Sequence, residues 1–225
     1  MSEQSAGADR SARPGPSDKT LTRSYLDALR AADVAGAYKV ASAGLEGGMS
    51  LAILYQRVVT PAMHELGRLW KQGAITVADE HLATAVTHRV LAALRPPQSF
   101  EQPSRSGLEV PTALLAAVQG EQHALGLRMA ADLLEDGGYR IAYLGADVPT
   151  DALLQAVRTV SPSLLGLSAT MPESTLRLEE AVEAVRAERP RLSLVIGGQG
   201  SGSPRLDGET VVENLELLAE AAPVP

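Results

Sequence analysis

Chemistry in this chain has to rest on imidazoles, carboxylates and hydroxyls, because the 225 residues include no cysteine and 4 histidines. Disulfides, thiol catalysis and thiolate metal sites are excluded at the outset. His123 stands in Gly120-Glu121-Gln122-His123-Ala124-Leu125-Gly126, between an apolar run at Thr112–Val118 and a helical pattern at Leu127–Leu134. That is the end of a buried strand, on the loop that opens a helix, where doubly wound folds bind ligands. A neutral imidazole is a good metal ligand, and a nearby carboxylate can fix its tautomer. Position alone leaves a functional histidine and an ordinary loop histidine equally open. A second group is Trp70, followed nine residues later by Glu80-His81. Singly, these read as a core tryptophan, an acid at a helix N-terminus and a surface histidine. Together they meet at one end of a helix pair. His64 and His88 read as helix-surface residues.

The elements that must position these groups fall into two halves. Residues 1–18 are polar and rich in Ser, Pro and Gly, and are expected to be a disordered tail. From 19 to 95 the apolar spacing is helical. One helix begins near Leu21, a second covers Val34 to Leu45, and a third runs from Ser50 to Lys71 with a kink expected at Pro61. A fourth opens at Thr76, with Asp79 completing a capping box, and ends before Pro96-Pro97. Short connections imply a four-helix bundle. Residues 96–109 read as a linker. From 110 to 225 the pattern alternates strand and helix: strands at Thr112–Val118, Tyr139–Leu144, Leu164–Ser168, Leu192–Ile196 and Thr210–Val212, with helices between them and a last helix at Glu213–Ala221. This is an α/β doubly wound parallel sheet, flavodoxin-like or Rossmann-like. Gly145-Ala146-Asp147, Ser168-Ala169-Thr170 and Gly197-Gly198 line the same sheet edge as His123, and small residues there admit a bulky ligand to the backbone.

Bulk properties narrow the function classes. Net charge is −7, and there is no dense basic run, so a direct nucleic-acid partner is not expected. No apolar run is long enough to span a membrane, and the first residues lack a secretory h-region, so a cytoplasmic location is the expectation. The turn GEQHALG matches neither G-x-G-x-x-G nor the P-loop, which disfavours a dinucleotide or ATP.

The sheet-edge motifs resemble those of the cobalamin-binding domain family. Its Asp-x-His-x-x-Gly stands here as Glu121-x-His123-x-x-Gly126, followed by Ser168-x-Thr170 and Gly197-Gly198. The resemblance implies that His123 is the lower ligand to cobalt, that Glu121 orients it, and that the nucleotide tail lies beside Ser168, Thr170 and the glycines. The Trp-x9-Glu-His spacing is similar to that of CarH-type light-sensing cobalamin proteins. It implies that Trp70, Val77, Glu80 and His81 shelter the adenosyl group of adenosylcobalamin.

Two departures accompany that resemblance. The basic DNA-binding domain of those regulators has only a short tail in its place, and the histidine that comes directly after their tryptophan is Lys71 here. The expectation is therefore a stand-alone, non-enzymatic cobalamin photoreceptor that signals on light-driven Co–C cleavage, through a homo-oligomer or an unknown protein partner. A biliverdin-type bilin is compatible as a second chromophore, bound without a cysteine link. The alternative is a corrinoid shuttle protein of a methyltransferase system, which needs an upper face that opens readily.

Overall fold

The helical half starts where a hydroxyl can cap it. In the computed structural model, which describes residues 17–95, 110–201, 206 and 209–221, Ser17 accepts the Thr20 N–H and Asp18 occupies the first turn of α1 (Asp18–Arg30). Two residues assigned by sequence to the tail thus cap and open a helix. The rest of that tail and the 96–109 linker lie outside the described residues. Helix α2 (Val34–Glu46) is capped by Asp33 on the Gly36 N–H.

The third rod is continuous from Leu51 to Lys71 but changes winding partway. It comprises α3 (Leu51–Leu54), a π-helical segment at Tyr55–Val59, and α4 (Thr60–Lys71). The kink expected at Pro61 is met by this wider turn just before it. Proline has no N–H for the carbonyl four residues back. That carbonyl, on Arg57, lies 2.9 Å from the Thr22 hydroxyl of α1, which it shares with the Asp18 carbonyl at 2.8 Å. Helix α5 (Val77–Leu94) begins with the full capping box between Thr76 and Asp79. Tyr25, Leu29, Leu54, Tyr55, Leu66 and Leu91 fill the core among the rods.

The second half is a five-stranded parallel sheet of order β2-β1-β3-β4-β5, formed by β1 (Thr112–Val118), β2 (Arg140–Val148), β3 (Leu164–Ser168), β4 (Ser193–Gly197) and β5 (Thr210–Val212). Helices α6 (Leu125–Asp136), α7 (Thr150–Val160), α8 (Thr175–Glu188) and α9 (Leu218–Ala221) complete it. Alternation along β1 sends Leu114, Ala116 and Val118 to the α7–α8 face and Ala113, Leu115 and Ala117 to the α6 face.

Some boundaries differ from the sequence reading. Strand β2 does not stop at Leu144 but continues through Gly145-Ala146-Asp147 to Val148, with irregular register against β1 and positive φ at Gly145 and Asp147. The last helix is shorter than expected, because Asn214 caps a 3₁₀ turn at Leu215–Leu217 before α9. Among the described residues, no helix is long and apolar enough to cross a membrane.

Helix α6 has two apolar faces. Leu127, Ala131 and Leu134 pack on the sheet, while Leu125, Met129 and Leu133 join the core of the helical half. The order of strands reverses between β1 and β3, and that switch point opens the crevice that receives ligands in such sheets.

Candidate cofactor site

Glu121 is the anchor of the site. It is 0% exposed, one residue past the positive-φ Gly120 that turns the chain out of β1. Its Oε1 accepts the His123 backbone N–H at 2.8 Å and lies 2.7 Å from the His123 Nδ1. Its Oε2 accepts the N–H groups of Thr170 and Met171 at 2.7 and 2.9 Å. One carboxylate therefore spans the switch point, tying the loop after β1 to the loop after β3. Burial pushes the Glu121 carboxyl up, but the Met171, His123 and Thr170 N–H donors and the His123 ring outweigh it and hold it below its ordinary range. An ionised carboxylate at Nδ1 fixes the proton there and leaves the lone pair on Nε2. The His123 side chain is 58% exposed, so that donor faces outward.

Asp147 braces the same loop, a role that the sequence reading did not assign to it. In left-handed backbone geometry, its carboxylate accepts the Gly120 N–H at 2.7 Å and the Gln122 side-chain amide at 3.2 Å. Its own N–H donates to the Glu121 carbonyl. The usable signal was an acid in a Gly-Ala-Asp-Val-Pro run, since Asp tolerates positive φ.

The glycines divide into two kinds. A Cβ at Gly126 meets nothing within 4 Å, so the surface above the first turn of α6 is open. A Cβ at Gly198, where φ is +97, meets the Ala169 carbonyl oxygen at 2.2 Å. Gly200 is similarly crowded by Met171 and Ala169, and its N–H donates to the Ala169 carbonyl. The expectation that these small residues clear space for a ligand is corrected for Gly198: the close packing of two loops requires it. Gly197 ends β4 beside Val212, Ser168 is buried at the end of β3, and Thr170 is partly exposed beside Glu121.

In the helical half, Trp70 lies in the last turn of α4 and Val77 opens α5, with 45% and 53% of their surfaces exposed. Trp70 is therefore not a core plug. The Glu80 Oε2 lies 2.7 Å from His81 Nδ1, and its Oε1 accepts the Thr84 hydroxyl at 2.8 Å. This is a second imidazole held at Nδ1 by an anchored carboxylate. His64, also on α4, meets the other half directly, with its Nε2 3.2 Å from the side-chain amide nitrogen of Gln199, just past β4. His88 is exposed on α5.

Among the described residues no group of three or more His, Asp or Glu side chains is placed to hold a metal ion. One outward imidazole suits a metal whose remaining positions are filled by a macrocycle. The chain thus presents a helical module beside a doubly wound sheet whose edge carries an outward imidazole held by a buried carboxylate.

The family described as B12 binding domain matches residues 111–213, and a second family of the same description matches residues 21–95. The chain is 30% identical over 198 residues to the HTH-type transcriptional repressor CarH of Myxococcus xanthus, covering 88% of this chain and 63% of that protein. It is 22% identical over 174 residues to trimethylamine corrinoid protein 1 of Methanosarcina acetivorans, covering 76% of this chain and 80% of that one. The structure of the Methanosarcina barkeri monomethylamine corrinoid protein shares the fold, with a TM-score of 0.73 at 19% identity, covering 91% and 97% of the two chains. The chain belongs to the cobalamin-binding domain family.

Proposed function

We propose that the chain is a light sensor that holds adenosylcobalamin between its helical half and its sheet edge. His123 Nε2 is the lower axial donor in this reading, oriented by Glu121. Gly126, Ser168, Thr170 and Gly197 border the groove for the nucleotide tail. Bound adenosylcobalamin supplies a light-labile cobalt–carbon bond. The protein's part is to orient the imidazole, to exclude water, and to pass a change in ligand occupancy to the cap.

The observation that carries the sensor reading is at the helical end. Trp70 and Val77 leave apolar surface open beside a Glu80–His81 pair already fixed by Thr84. An adenosyl group offers what such a surface recognises: a stacking face for the indole and ribose hydroxyls for the carboxylate and imidazole. His81 Nε2 is also free to replace the donor lost where Lys71 stands. Output passes to a protein partner or through a homo-oligomer, and the reading assigns no catalysis to the chain. A bilin, if it serves as a second chromophore, binds non-covalently.

One finding favours a second reading, that of a corrinoid shuttle for a methyltransferase. Similarity to trimethylamine corrinoid protein 1 extends over 76% of the chain. Reconstitution in the dark with adenosylcobalamin and with methylcobalamin separates the two. The sensor prefers the adenosyl form and changes its spectrum under green light. The shuttle shows no such preference and reduces readily.

A further inference from the structure

Contacts between the helical half and the sheet half are unequal. Three consecutive residues of the π-helical segment each grip the other half. Tyr55 donates its hydroxyl to Asp132 Oδ2 of α6 at 2.9 Å, and both residues are buried. Gln56 accepts the Leu215 N–H at 3.1 Å. Arg57 pairs with both oxygens of Glu216 at 2.9 and 3.0 Å. Beside them Arg95, the C-cap of α5, is 5% exposed and reaches the Asp132 carbonyl, Asp136 and Glu135. Arg128 closes the cluster on Asp132 at 3.2 Å. Met129, Leu125 and Leu133 extend the apolar core across the same junction. Further along the same rod, the polar contact is of another kind: His64 and Gln199, both exposed, at 3.2 Å.

A π turn sets which side chains face the junction, because it adds a residue to one turn and rotates the helix on one side of it relative to the helix on the other. Here Pro61 removes the N–H that an α-helical turn needs, and the freed Arg57 carbonyl shares the Thr22 hydroxyl with the Asp18 carbonyl. Trp70 lies fifteen residues beyond Tyr55, roughly 20 Å along the rod. A rotation of about 10° at Tyr55 would therefore carry the indole about 3–4 Å.

We propose that the π-helical segment, gripped through Tyr55, Gln56 and Arg57, is the pivot between the two halves, and that His64–Gln199 is the latch that holds the Trp70 end against the sheet edge. The pivot belongs to the protein itself, so it can be tested on the full chain without cofactor, independently of the sensor reading.

The absence of cysteine makes spin labelling clean. One doubly labelled protein carries Lys19→Cys and Glu213→Cys, which flank the pivot. Another carries Lys71→Cys and Glu173→Cys, which flank the latch. Pulsed electron–electron distance measurements should give a narrow distribution across the pivot. Gln199→Ala should leave that distribution unchanged while widening the latch distribution about twofold, as for a hinge freed of its far contact. Pro61→Ala should instead widen the pivot distribution. Arg57→Ala, at an exposed ion pair, gives the same reading if Pro61→Ala does not fold by circular dichroism. A pivot distribution as broad as the latch distribution in the unsubstituted protein overturns the proposal. So does a Gln199→Ala variant that widens both distributions equally, or a pivot distribution that neither Pro61→Ala nor Arg57→Ala changes.

Discussion

The smallest unit that can be tested is the Glu121–His123 pair. The His123 ring is more than half exposed but bonds the buried Glu121 carboxylate, so His123→Ala should cost about 1.5 kcal/mol of stability, the loss of one of the four donors to that charge. It should weaken cobalamin retention and shift the bound spectrum to base-off, as read by equilibrium dialysis and absorbance. Glu121→Gln should act through the ring's orientation and lower cobalamin affinity roughly 10–100-fold. It should also cost about 2 kcal/mol of stability, because a buried charged acceptor with four donors becomes an amide. The pH dependence has its sign set by the direction of the shift. The folded state holds the Glu121 carboxyl below its ordinary value, so its contribution is complete above the unfolded carboxylate range and is lost as pH falls through the folded value. Acid unfolding of the Glu121→Gln variant should accordingly be flatter below about pH 4 than that of the parent. Trp70→Ala removes surface that is already exposed; it should spare cobalamin binding and disturb the light response, and an unchanged photoresponse contradicts the role given to the cap.

At the level of elements, the sequence was legible wherever one local force decides the outcome. The Thr76–Asp79 box arises from capping, the β1 and β3 spans from buried, nearly uninterrupted apolar runs, and α7 from a helical apolar spacing that buries Leu153 and Val157. Thr76→Ala should cost about 1 kcal/mol in a denaturant melt, the usual value of a hydroxyl N-cap. Legibility ended where a partner distant in sequence decides. Strand β2 runs on past Leu144 because its distal half pairs with β1 out to Val148, which no local pattern of Gly-Ala-Asp announces. Pro61 announces a disturbance, but the Thr22 hydroxyl that meets the freed Arg57 carbonyl lies on another helix. Gly198 was visible as a glycine, whereas the Ala169 carbonyl that demands it was not. Gly198→Ala should therefore destabilise by at least about 2 kcal/mol, through positive φ and crowding, and the loss should appear without any ligand present.

For the whole molecule, the proposed function requires the outward imidazole at the sheet edge and the Trp70–His81 end of the helices to close on one pocket. Helix α6 joins the halves physically, with one face in each core. His123 stands two residues before α6 begins, so the proposed lower donor adjoins the element that forms the inter-half junction. Sequence spacing singled out both candidate sets of site residues, yet gave no sign of the Tyr55–Asp132–Arg95 cluster between the halves, whose members lie in separate segments of the chain. The central claim is that the two sets together hold an adenosyl-bearing corrin and respond to its photolysis. The most direct test is the ultraviolet–visible spectrum of the protein reconstituted in the dark with adenosylcobalamin, recorded before and after green light. A base-off/His-on adenosyl spectrum that converts to a stable cob(III)alamin species is the predicted result. Uptake of methylcobalamin with no preference for the adenosyl form and no stable light product contradicts the sensor account, and failure to take up any corrin contradicts the site itself.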